Sequence, residues 1–161
     1  MGRMNLGRVV LGGIAAGIVL DICEGVMRGM FLRDQGADMM ARLGLPSAVT
    51  TKQLVAFNLW GLIVGVLTVL LYAAIRPRMG AGPRTAILAG LFVWALVFAL
   101  GAMPFAFMHV LPLPFAVMTA CAEGAMMIIA GLVGAALYKE GVAAPRSAEG
   151  QPTYAGAGRK A

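Results

Sequence analysis

The stretch 6-LGRVVLGGIAAGIVLDICEGVMRGMFL-32 decides the fold. It exceeds the roughly 20 apolar residues that a helix needs to cross a bilayer core of about 30 Å. Within it Gly13, Gly17, Asp21, Gly25 and Gly29 recur every fourth residue and so lie along one helical ridge. Glycines at that spacing let a second helix backbone approach closely. A carboxylate in the middle of such a ridge is costly in a membrane unless it is paired or protonated. Arg3 and Arg8 ahead of the apolar run resemble the start of a signal peptide. No small-x-small cleavage site follows and the pattern continues to Leu32, so a retained span is expected.

The rest of the chain repeats the theme. Of its 161 residues 60% are hydrophobic and 12% charged, about half the charge of a soluble domain. Three further apolar runs are long enough to cross, at about Leu54–Ile75, Thr85–Val110 and Phe115–Tyr138. No strand-like alternation competes with a helical reading, and helices satisfy their own backbone groups in lipid. The expected fold is therefore all-α, a polytopic membrane protein with a four-transmembrane-helix bundle over residues 1–140. The tail, residues 141–161, is rich in Ala, Gly, Pro and Ser and is expected to be disordered.

Lys and Arg set the orientation. The N-terminus, the loop Arg76–Arg84 and the tail hold nine basic residues, against Arg28, Arg33, Arg42 and Lys52 on the other side. That asymmetry places both termini in the cytoplasm of a bacterial-type plasma (inner) membrane. The net charge of +6 comes without any nucleic-acid-binding motif, so no nucleic-acid partner is expected. The longest connection, 33–52, contains helical spacing at Ala37, Met40 and Leu43, which predicts a short helix at the membrane surface. Thr50 and Gln53 fit a capping box opening the second span, and Pro104 predicts a kink in the third.

The basic loop is read as an anchor for anionic headgroups, since no βαβ unit or Walker lysine accompanies it. LYAAIRPRMGAGPRTA (71–86), with GGIAAGIVLDICEGV (12–26) and the closing GAALYKE (134–140), resembles a group of small bacterial four-span membrane proteins without assigned function. The resemblance implies the same topology and carries over no catalytic residue.

Three carboxylates fall inside spans: Asp21, Glu24 and Glu123. Asp21, Glu24 and Arg28 share a helix face, with Glu24 and Arg28 at i,i+4 spacing. Glu123 lies at similar depth in the fourth span, and Glu-Gly-x-Met occurs in both spans. Three carboxylates against one deep arginine leave the group net negative, so either a proton or a cation must join it. Asp21, Glu24, Arg28 and Glu123 are thus the candidate ion- or proton-binding residues, with Asn58, His109 and Thr119 as auxiliaries. The opposing reading is that the carboxyls only hydrogen-bond across helices as structural glue.

Helix packing is assigned to Gly13, Gly17, Gly25, Gly29, Gly61 and Gly65. Ala116, Thr119, Ala120, Glu123, Met127, Ala130 and Gly134 give the fourth span a small face to set against the first. Cys23 and Cys121 point about 160° away from Asp21 and Glu123, which counts against a cysteine–carboxylate catalytic site. The 12 methionines, His109 and the cysteines form a soft-ligand set suited to Cu(I), or else ordinary apolar filler, so a metal is left open. Trp94 is read as core packing ahead of a ligand contact.

No Ser–His–Asp arrangement, P-loop or HExxH motif is present, and no cofactor is implied. The leading expectation is a small transporter, proton- or cation-coupled, acting on a small solute or ion. The alternatives are an accessory subunit of a larger membrane complex and, less well supported, an enzyme acting on a lipid or quinone. The expected partners are the bilayer and either further copies of the chain or another membrane protein.

Overall fold

The computed structural model describes residues 4–139, all of whose regular structure is helical. The expected tail lies outside the described residues. Helix α1 runs Leu6–Phe31, α2 Arg33–Arg42, α3 Thr51–Met79, α4 Pro83–Phe107 and α5 Leu113–Leu137. Four of these, all except α2, are long and apolar enough to cross a membrane. Helices α1, α3, α4 and α5 form the bundle, each packed on its sequence or chain-end neighbour. Helix α1 touches α3 and α5 but not α4, which lies diagonally across from it.

Local chemistry sets the boundaries. Asn5 caps α1, its Oδ1 accepting from the Arg8 amide at 3.1 Å. Thr50 and Gln53 close the expected capping box at the start of α3. Helix α3 then runs past the expected end at Ile75, because Pro77 in the last turn interrupts only one backbone bond. Gly80, with φ of 85°, stops it by donating its amide to the Arg76 carbonyl.

In α4 the disturbance expected at Pro104 lies nearer the middle, where Ala95–Ala99 form a π-helical turn. Proline leaves the Leu100 carbonyl without its usual donor and crowds it, and the looser turn sits directly before that residue. A second π turn, Met27–Phe31, ends α1.

The bundle is packed unevenly along its length. At the end carrying Leu6 and Leu137, backbones meet almost directly. A methyl group on Gly12 would come within 2.6 Å of the Gly134 carbonyl oxygen. On Gly17 it would come within 2.6 Å of the Leu62 Cα, and on Gly90 within 2.6 Å of the Met127 oxygen. Gly65 is pressed against Gly13 and Gly17 in the same way. Val9, Ala16, Leu20, Val64, Val69, Ala89, Met127 and Ala130 fill this half, and Thr68 enters it with its hydroxyl donated to the Val64 carbonyl.

Toward the far end, which carries α2, packing thins. Every residue from 51 to 60 is exposed, and none in α4 beyond Val93 is buried. Gly25 and Gly29, expected to pack, have no atom within 4 Å of where a Cβ would stand. The glycine ridge is therefore used for packing as far as Gly17, and the facing start of α3, residues 51–60, is exposed.

Candidate functional site: a carboxylate pair bridged by Arg28

The close approach of α1 and α5 at Gly12, Ala16 and Gly134 brings their middle turns face to face. Three of the four expected ionisable residues meet there. The Arg28 Nε donates to Glu24 Oε2 at 2.6 Å, the i,i+4 pair anticipated from spacing. The Arg28 Nη2 lies 3.6 Å from Glu123 Oε1, a looser contact that reaches across to α5. Glu123 is the deepest of the three, its side chain 6% exposed, whereas that of Arg28 is 67% exposed. The guanidinium thus covers the two acids from the rim. Its own backbone lies in the π turn that ends α1.

The second oxygen of each acid is stranded. Glu24 Oε1 and Glu123 Oε2 are both buried, and neither has a hydrogen-bond partner. The two acids approach the one guanidinium from different helices, so their carboxyl groups are neighbours across the α1–α5 contact. With every group charged, two carboxylates oppose one guanidinium and the trio carries one net negative charge. Such a charge in an apolar surrounding is strongly disfavoured.

Asp21 stands apart. Its carboxylate lies directly over Gly61 of α3, so a Cβ at Gly61 would collide with it. Both ion pairs found among the described residues belong to Arg28, and neither includes Asp21. Gly61 therefore serves to make room for a side chain, which is a different use from the backbone packing expected of it.

The three auxiliaries do not join the cluster. Asn58 is exposed and donates its amide to the Leu54 carbonyl at 2.8 Å on its own helix. Thr119 donates to the Phe115 carbonyl at 2.9 Å in the same manner. His109 is exposed in the turn after α4, with φ of 57°, and its amide bonds to the Ala106 carbonyl. That left-handed conformation caps the helix and turns the chain toward α5. Short polar side chains on a helix reach their own backbone more easily than a neighbouring span, which explains Asn58 and Thr119.

A tryptophan supports the site from behind. The Trp94 Nε1 donates to the Ala120 carbonyl at 2.9 Å, and its ring covers Gly124, next to Glu123. The indole thereby fixes the turn of α5 that presents Glu123 to α1. The structure adds to the expected core packing of Trp94 a hydrogen bond to α5. The signal was an indole N–H in mid-span, which has to find an acceptor. Among the described residues, no group of three or more His, Cys, Asp or Glu side chains is placed to hold a metal ion. Both cysteines are free, and Cys121 is exposed.

Comparison with protein-family models, curated proteins and solved structures found no match to the chain.

Proposed function

We propose that the chain is a proton-coupled membrane transporter in which Glu24 and Glu123 hold one proton between them and Arg28 is their counter-ion. The observation that carries this reading is the stranded pair of buried oxygens, Glu24 Oε1 and Glu123 Oε2. One proton supplies the missing donor, joins the two carboxyls by a hydrogen bond and brings the trio to neutrality. Release of that proton restores a net negative charge that has to be met by a cation or by movement of Arg28. Asp21, on the neighbouring face, adds negative potential without being part of the pair.

The proposal includes the expected orientation, with both termini cytoplasmic in the plasma membrane. It rests on the excess of Lys and Arg at the end carrying the termini. Four helices alone enclose little space, so a working assembly of several copies belongs to the same reading.

The test is proton movement into proteoliposomes loaded with a pH-sensitive dye, with a pH gradient imposed. Glu123→Gln and Glu24→Gln are expected to abolish the protein-dependent flux while the helical circular dichroism persists. Asp21→Asn is expected to slow it only partly. Undiminished flux in both glutamine variants overturns the proposal.

A second reading, an accessory subunit, is favoured by Gly25 and Gly29. They form a small-residue face that no helix among the described residues covers. Substituting leucine at either position separates the readings: loss of a co-purifying protein with intact flux supports docking.

A further inference from the structure

The opposite end of the bundle holds a second feature that the proton reading does not use. A partly open cavity of about 270 Å³ lies between α3, the start of α4 and the end of α5. Tyr72, Pro83, Ala86, Leu132 and Ala135 supply most of its wall, which is largely apolar. Tyr72 packs edge-on against Tyr138 with ring centroids 5.9 Å apart. The Arg76 guanidinium stacks 5.5 Å from the Tyr138 centroid, so a cation is held beside the tyrosine wall. Arg84 directly follows Pro83, and Arg84, Arg78 and Lys139 are all exposed at this end.

Charge is segregated along the bundle. Arg8, Arg76, Arg78, Arg84 and Lys139 gather at this end, whereas all described carboxylates (Asp21, Glu24, Asp34, Asp38 and Glu123) lie in the middle or at the far end. A partly open apolar groove at the end of the bundle where Arg78, Arg84 and Lys139 are exposed, with Arg84 next in sequence to its wall residue Pro83, matches one molecule of the surrounding bilayer. We infer that the groove between α4 and α5 binds an anionic phospholipid, its acyl chain along Ala86, Leu132 and Ala135 and its phosphate among Arg78, Arg84 and Lys139. The inference is independent of the proton site: the lipid contacts none of its residues.

Native mass spectrometry of the full chain released from mild detergent tests this, with phosphatidylglycerol and phosphatidylcholine of identical acyl chains as probes. One retained phosphatidylglycerol per chain is expected. Each basic side chain that meets the phosphate contributes about a fivefold preference over the zwitterionic lipid. Arg78→Ala with Arg84→Ala and Lys139→Ala should therefore remove the headgroup preference. Ala135→Leu, which fills the groove and leaves every charge in place, should lose the retained lipid altogether. Ala136→Leu, on the same wall, serves if the first variant fails to fold.

Equal retention of the two lipids by the parent overturns the inference. So does retention of phosphatidylglycerol by a folded, groove-filled variant, which would reveal a diffuse ionic atmosphere. Displacement of the lipid by glycerol phosphate alone would assign the site to a soluble phosphate and overturn it as well.

Discussion

At the residue scale, Arg28 decides how the two glutamates coexist. Its short bond to Glu24 was readable from the i,i+4 spacing, and the depth of Glu123 from its place in the fourth run. The stranded oxygens were not readable, because they depend on how α1 and α5 are rotated about their axes. Arg28→Ala is expected to lower the thermal unfolding midpoint in detergent, since it leaves Glu123 without a counter-ion. The cost should be at most about 3 kcal/mol, at the low end for a broken buried pair, because Arg28 itself is mostly exposed. Adding Glu123→Gln to that variant should recover most of the loss. No recovery would show that Arg28 acts through packing instead of charge.

At the scale of elements, the same spacing of glycines has two outcomes. Gly13 and Gly17 lie under α3, whereas Gly25 and Gly29 lie under nothing. The ridge was legible in the sequence, but the point at which α3 leaves it was not. The last contact along it is of another kind: the Asp21 carboxylate lies over Gly61, in the space a Cβ there would take. Span ends were legible to within a few residues. The largest shift came at Pro77, which α3 passes through to Met79; Thr51, where the capping box starts the helix before its apolar run, and Phe107, where α4 stops short of Val110, follow.

Gly65→Leu is therefore expected to destabilise the monomer by about 1–3 kcal/mol or more through overpacking. Gly25→Leu should leave it within about 0.5 kcal/mol. Thermal unfolding of both variants in the same detergent checks the contrast, and equal losses would contradict the half-used ridge.

At the scale of the whole molecule, four apolar helices joined in series put Leu6, where the first starts, and Leu137, where the last stops, on one side of the bundle. Composition made this legible: long apolar runs separated by short polar connections admit little else. Which membrane face the ends occupy follows from the charge count and is part of the proposal. In a Cys23→Ala, Cys121→Ala background, Arg78→Cys should react with an impermeant thiol reagent only after the membrane is opened. Asp38→Cys should react in intact cells. The reverse pattern would invert the proposed orientation.

The glycine contacts at the Leu6 and Leu137 end also bear on the order of assembly. Helices α1 and α3 are consecutive spans, and their closest backbone approach, Gly13 and Gly17 against Gly65, needs no other helix to complete it. This hairpin can lock as soon as the second span has left the ribosome and entered the bilayer. Glu24 then waits, with Arg28 already at its side, until the last span arrives. Of the three charges in the cluster Glu123 comes last along the chain, so its span completes a group in which Glu24 and Arg28 are already paired within one helix.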